Sequence, residues 1–439
     1  MRALKRFFSG LAVLVALIGG VAVLMLVPWP VLLIAVLALA AWMRLSRSGR
    51  QAASVSWLGI STLPQRLGSS SVVVIGIAGV VGVLVALLAM GEGFQATLKQ
   101  TGSDDTAIMM RAGSQAELNS VLDHDSVALI SQAVGVLKDK DGQPIASPEL
   151  VVVASLPKKS SGLDSNVELR GVGNQIWSLH PEMKIIEGRA FKPGLRELIV
   201  GKGAREEFTH LDVGSTLNLN NQTWNVVGAF DSGDAHNSEL LGDAEVVGST
   251  YRRSGSVSSV TVRLTSASAF DAFKALLASD PRLKVDVKTT RAYYTEQSQG
   301  LAKLIRILGT SIGVIMGIGA IFGALNTMYA AVATRAREIA TLRAIGFRGL
   351  PVVVSVLLET MLLALAGGIL GAAVAWIVFD NYTASTLGNN FSQIVFAFKV
   401  SPALIWNGIK WALAIGFIGG LFPALRAARL PVTTALREL

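Results

Sequence analysis

The chain has 439 residues, 51% of them hydrophobic and only 16% charged, which is too apolar for an ordinary soluble protein. It contains no cysteine, so disulfides, thiolate metal sites and cysteine nucleophiles are excluded. The net charge of +9 invites a nucleic-acid reading, but fourteen of its basic residues fall in 1–6, 44–66, 334–348 and 424–439, against only Glu338 and Glu438.

Those four patches flank apolar runs at 8–43, 71–90, 304–333, 352–379 and 403–423. Between 92 and 306 the chain carries 23 basic and 26 acidic residues, so this region is slightly acidic. Basic residues beside apolar runs mark the cytoplasmic side of a membrane, and nucleic acid is not an expected partner. Stretches 8–27 and 31–43, separated by Pro28-Trp29-Pro30, read as a membrane hairpin within residues 1–43. A single tilted span or a cleaved leader would reverse the topology of everything downstream. Residues 44–70 place Trp57, Ile60 and Leu63 at helical spacing, with Arg66 toward lipid headgroups, as an interfacial amphipathic helix does. A transmembrane helix over 71–91 then delivers the chain outside.

Residues 92–300 read as an exported domain of two subdomains. Leu150–Ser155 and Glu197–Val200 have the pattern of buried strands. Thr216–Leu219 and Thr223–Gly228 flank the turn signal Asn220-Asn221. Val257–Leu264 reads as a strand, Ser266–Ala278 as a helix capped by Ser266 or Ser268, and Lys284–Val287 as a strand. Residues 231–256, rich in Gly, Ser, Asp and Asn, read as an exposed loop. Residues 301–439 hold three more spans. In the first of them Gly309, Gly313 and Gly317 form a small-residue stripe suited to close helix packing, within the chain or across a dimer axis. The segment 381–402 reads as a short external loop.

The most informative stretch is Ala331 to Pro351, with Arg335, Arg337, Arg343 and Arg348 against the single acid Glu338. Helical spacing puts Glu338, Ile339, Leu342 and Arg343 on one face. Gly346 ends the helix and Pro351 opens the next apolar segment. A solvated basic loop would explain the arginines, but neither the Ile339/Leu342 stripe nor Gly346. Other features carry less. His124, His180, His210 and His236 lack the spacing of a metal site and read as surface or loop residues. Asp104-Asp105 and Asp123-His124-Asp125 read as turns or helix starts. Gly201-Lys202-Gly203 lacks the spacing of a phosphate-cradling loop, and no such loop occurs in the chain. Glu359, a lone acid in a span, reads as a packing or interfacial contact. No catalytic residue, cofactor site or metal site is expected.

Arg335-Ala-Arg-Glu-Ile-Ala-Thr-Leu-Arg-Ala-Ile-Gly-Phe347 resembles the cytoplasmic loop of FtsX-like ABC transporter permeases, the MacB/LolC/LolE group. The tail from Pro423 to Arg437 looks like the end of the same family. Leu58-Gly-Ile, Gln65-Arg-Leu and Gly91-Glu-Gly are similar to its membrane entry. Glu197-Leu-Ile-Val-Gly and Trp224-Asn-Val-Val-Gly-Ala-Phe resemble strands of its MacB-like periplasmic domain. The resemblance covers residues 50–439 and leaves the N-terminal hairpin unexplained.

It implies a membrane α-helical bundle of about six spans, the hairpin plus a four-span FtsX-like core, with an inserted α+β periplasmic domain. It also implies a multi-pass protein of the bacterial inner membrane that is not itself an enzyme. ATP would be bound and hydrolysed by a separate ABC ATP-binding subunit. The coupling helix at 334–348 would meet that subunit through Arg335, Arg337, Glu338, Ile339, Leu342, Arg343, Gly346 and Phe347. Two permease copies, or a paired permease, would relay the motion to the periplasm (mechanotransmission) for export of a substrate, with a periplasmic adaptor protein. Within the same family the alternatives are regulation of an envelope enzyme such as a cell-wall hydrolase, and lipoprotein extraction.

Overall fold

A computed structural model describes Gly19 and residues 25–430. The chain divides into two compact units. One, the membrane unit, holds residues up to Ala89, Ile305–Asp380 and the chain from Val400 on; the other, extramembrane, holds Met90–Leu304 and Asn381–Lys399.

The helices in chain order are α1 (Trp29–Leu45), α2 (Arg47–Ser61), α3 (Leu67–Thr101), α4 (His124–Ser131), α5 (Ile176–Leu179), α6 (Lys202–Glu207), α7 (Ala244–Thr250), α8 (Phe270–Ser279), α9 (Thr290–Thr334), α10 (Ala336–Ala344), α11 (Gly349–Phe379) and α12 (Pro402–Arg429). Among the described residues, four helices are long and apolar enough to cross a membrane: Ser70–Thr101 within α3, α9, α11 and α12. The first arm of the expected hairpin lies largely outside the described residues. Its second arm falls in α1, which meets α2 at a 104° bend. Ser46 sits at that corner and accepts the Gly49 N–H at 2.8 Å, capping α2. Gly49 is needed there, because a Cβ would run into the Trp42 carbonyl.

Small residues let the spans of the membrane unit approach closely. A Cβ on Gly367 would stand 2.7 Å from the Val74 carbonyl oxygen of α3, and one on Gly416 would collide with Ala364. The stripe on α9 is occupied within the chain. Gly309 faces Leu87, Gly313 faces Leu84 and Gly317 faces Ile415, so these glycines seat neighbouring side chains of their own unit.

In the extramembrane unit the strands are β1 (Thr106–Arg111), β2 (Leu122–Asp123), β3 (Ala146–Pro157), β4 (Asp164–Val172), β5 (Lys184–Gly188), β6 (Glu197–Gly201), β7 (Thr216–Leu219), β8 (Gln222–Asp231), β9 (Glu239–Asp243), β10 (Ser256–Val257), β11 (Ser259–Arg263), β12 (Val285–Thr289), β13 (Thr383–Leu387) and β14 (Gln393–Ala397). Among the described residues, ten form one mixed sheet in the order β12-β1-β11-β3-β4-β9-β6-β8-β5, with β7 on β8. β4–β9 and β6–β8 are parallel and the remaining pairs antiparallel. The sheet carries two large apolar cores, with smaller apolar clusters beside them. Trp224, Leu169 and Phe208 lie in the first, and Met109, Val262 and Phe273 in the second.

Several expected elements appear where the local chemistry demands them. β7 and β8 pair across Asn220 and Asn221, whose φ values of 47° and 62° supply the left-handed turn that Asn tolerates. Asp123 caps α4 by accepting the Ser126 N–H at 2.9 Å. Other expectations need correction. Residues 231–256 are not an exposed loop: they contain β9, with Leu240 and Leu241 fully buried, followed by α7, capped by Asp243. The helix expected from Ser266 begins only at Phe270, after a 3-10 turn over Ala267–Ala269, and Ser266 makes no capping hydrogen bond. The segment 381–402 is not a simple loop either. Its alternating residues form the β13–β14 ribbon, which belongs to the extramembrane unit.

Candidate functional site

The loop between α9 and α11 is built as a short rigid helix. α9 stops at Thr334, Arg335 breaks the helical path, and α10 runs from Ala336 to Ala344. Its end is closed by two backbone bonds: Gly346 N–H donates to Arg343 O at 3.2 Å, and Phe347 N–H to Leu342 O at 3.1 Å. That closure requires a left-handed residue between them, and Gly346 has φ +101°. Arg348 then flanks the start of α11, and Pro351 falls in its first turn, where its missing N–H costs nothing.

Three contacts fix α10 within the membrane unit. Arg335 donates to Glu359 of α11 at 3.0 Å and to Glu338 at 3.2 Å. Arg66, from the segment before α3, stands 4.0 Å from the other Glu359 oxygen. At the far end, Arg343 donates to the Leu430 carbonyl at 2.6 Å, satisfying a backbone oxygen left open at the end of α12. Underneath, Ile339 packs with Met328, Val332, Val352, Val356, Ala424 and Ala427. Here the expected face changes. Ile339 is only 5% exposed and anchors α10 to its own chain, so it is not a contact offered to a partner. Leu342 is half-buried and lines a groove of about 380 Å³ with Val55 and Leu58 of α2 and with Arg335, Arg337, Glu338 and Thr341. Ile345, 70% exposed, and Phe347, half-buried, follow at the helix end.

Glu359 therefore has a definite role in the fold: it is one acid between two bases at the meeting of α10, α11 and the segment before α3. Even Gly59 of α2 lies close, since a Cβ there would stand 3.2 Å from Glu359 Oε2. A second ionisable group in the spans, Lys410, is buried and donates to the Met25 carbonyl at 2.6 Å.

The extramembrane unit holds a second cluster that sequence reasoning missed. Arg170, 2% exposed, donates to Glu117 (2.8 Å), Glu149 (2.7 Å), Glu168 (2.7 Å) and Glu239 (2.7 Å), all buried. Burial would raise the Glu117 carboxyl, but Arg170 holds it below the usual range. Burial, reinforced by Glu239, pushes Glu168 up to about 7 against the pull of Arg170. His236 is buried beside the cluster, 3.2 Å from Asp234 and 4.7 Å ring to ring from His180. Burial opposes its charge, yet Asp234 and Glu239 carry it up to about 9. His180 and His236 are thus interior residues, contrary to the surface reading. The signal available was Val167-Glu-Leu-Arg-Gly-Val172, in which charge alternates with apolar residues and mimics a solvent-facing strand.

The arrangement at α10 is a braced helix beside an apolar groove with a charged rim. A family model for the MacB-like periplasmic core domain matches residues 70–279, and one for the FtsX-like permease C-terminal domain matches 310–432. The chain is 26% identical over 402 residues to an uncharacterized ABC transporter permease of Bacillus subtilis (strain 168), YknZ, covering 84% of this chain and 94% of that one. It is 31% identical over 140 residues to the macrolide export ATP-binding/permease protein MacB 2 of Yersinia pestis bv. Antiqua (strain Antiqua), covering 32% of this chain and 20% of that protein. Among solved structures, the periplasmic region of MacB from Actinobacillus actinomycetemcomitans aligns with TM-score 0.33 and 15% identity, covering 43% of this chain and 90% of that one. The chain belongs to the ABC transporter permeases of the FtsX/MacB type, membrane proteins with a MacB-like periplasmic domain.

Proposed function

We propose that this permease couples ATP hydrolysis on a separate ABC ATP-binding subunit to movement of its periplasmic domain, driving extrusion of a substrate. The observation that carries the reading is the bracing of α10. A helix that receives force must be rigid and tied to more than one span. α10 is tied to α11 through Arg335 and Glu359, to the end of α12 through Arg343, and to the core through Ile339. The partner would seat an apolar side chain in the groove of Val55, Leu58 and Leu342, while Arg337 and Glu338 form charge-assisted contacts at its rim. In this reading the protein sits in a bacterial inner membrane, pairs with a second permease copy and hands its substrate to a periplasmic adaptor. Nucleotide binds the partner alone.

The groove supplies the test. Leu342→Asp puts a charge on its apolar floor while leaving the anchoring Ile339 untouched. In the reconstituted complex this variant should insert normally yet lose coupling between ATP turnover and extrusion. Unchanged coupling would sink the proposal.

A further inference from the structure

The extramembrane unit has a cleft of about 690 Å³, the size of a small-molecule site. It opens where two parallel strands stop together. β4 and β9 are paired side by side up to Val172 and Asp243, and a crevice beyond the carboxyl ends of parallel strands is a recurrent place for ligands. Leu122, Val127 and Val257, which belong to or pack on the core around Met109 and Val262, join Val172 in giving the cleft apolar walls.

One arginine lines this apolar space. Arg253 is half-buried and held in place: its backbone N–H donates to Gly248 O at 2.7 Å, and its Nη2 donates to Ser120 O at 3.2 Å. Among the described residues that carbonyl is the one acceptor of its side chain, and it forms no ion pair. Burial pulls its guanidinium below the usual arginine value, whereas Arg189, Arg205 and Arg282 are raised, each by hydrogen bonding to a carboxylate. A guanidinium carries five N–H donors in a fork that matches a carboxylate, so most of this one's capacity stays open to a ligand.

The acids of the cleft are committed elsewhere or stand at its rim. Asp123 accepts the Ser126 N–H at 2.9 Å, and Asp243 accepts the Glu245 and Val246 N–H groups at 3.1 and 3.0 Å, each capping a helix. Glu245 and His124 also line the cleft and are exposed. Three carboxylates around one arginine limit the charge of a ligand: a single negative charge meets Arg253, and a second is repelled.

We propose that this cleft binds a small organic monocarboxylate, its carboxylate forked on Arg253 and its apolar body against Leu122, Val127, Val172 and Val257. The site stands on the cleft alone and does not rest on the permease reading.

Naphthaleneacetate, its neutral amide and naphthyl phosphate are the probes, titrated calorimetrically into the full-length protein in lipid nanodiscs with empty nanodiscs subtracted. The carboxylate should bind at least about tenfold more tightly than the amide. It should also bind more tightly than the phosphate, which is largely dianionic at about pH 8. Arg253→Met keeps the apolar stem and removes the charge; it should erase the preference for carboxylate over amide, and Arg253→Lys should restore part of it. Gly173 supplies a test that leaves Arg253 untouched. It lines the cleft with nothing within 4 Å of where a Cβ would stand, so Gly173→Leu should fill the space. That variant should weaken both carboxylate and amide about tenfold with an unchanged unfolding midpoint. Equal binding of carboxylate and amide, a preference that survives in R253M, or unaltered binding in G173L overturns the site. Tighter binding of the phosphate overturns its assignment to carboxylates.

Discussion

The two units bury charge in opposite proportions. In the periplasmic unit one base, Arg170, is shared among four buried glutamates on the sheet. In the membrane unit one acid, Glu359, is shared between Arg335 and Arg66, which belong to different segments. The first arrangement saturates a five-donor guanidinium and gives a local knot, with β3, β4 and β9 held in register around it. The second is a junction, in which a single carboxylate meets arginines from two separate pieces of chain. Buried ion pairs add little net stability relative to apolar packing, but breaking one is costly. Their positions thus mark where the fold needs a fixed geometry: a sheet face in one unit, and the root of α10 in the other.

The largest expected effect breaks the knot. Arg170→Met fills the volume but leaves four buried carboxyl groups without their shared donor, and should destabilise the periplasmic unit by about 3–5 kcal/mol or more. Chemical denaturation of the full-length protein, with hydrogen exchange at β3 and β4, reads this directly. A near-neutral result would mean that the cluster is hydrated and not a knot.

The pH dependence comes next. Glu168 and His236 both hold their protons more tightly folded than unfolded, so each stabilises the fold at low pH and loses that contribution as pH rises. For Glu168 the loss falls between the ordinary carboxyl value of 4.5 and about 7, and for His236 between 6.5 and about 9. Unfolding midpoints of the periplasmic unit should therefore fall from pH 5 to pH 9, on the order of a few kcal/mol in all.

Glu359→Gln tests the junction from the other side. It leaves Arg335 and Arg66 facing a neutral amide and should cost about 2 kcal/mol, seen as faster exchange at the start of α10 with the periplasmic sheet unaffected. Gly346→Ala should cost about 1 kcal/mol, because alanine must adopt φ near +101°. It loosens only the last turn of α10, and exchange at Gly346–Phe347 is its readout.

Much of the membrane unit was legible because its determinants are local. Apolar length marks the spans, and Gly346 with the arginines marks α10. The role of Glu359 was not, because Arg66 and Arg335 lie 293 and 24 residues from it in sequence. In the periplasmic unit, Asn220-Asn221 announced its hairpin, and the apolar run at β3 announced a strand. Arg170's partners, by contrast, come from positions 117, 149, 168 and 239, and a charged residue alternating with apolar ones reads as solvent-facing whichever way it points. β9 escaped because only Leu240-Leu241 stands out among Gly, Ser and Asp.

Hydrogen exchange of the assembled complex, with and without trapped ATP, tests the central claim most directly. Force entering at α10 and leaving at the periplasmic unit predicts that ATP changes protection in both α10 and the β13–β14 ribbon, and that Leu342→Asp abolishes the second change while hydrolysis continues. A ribbon whose protection is the same in every nucleotide state, while α10 responds, would contradict it.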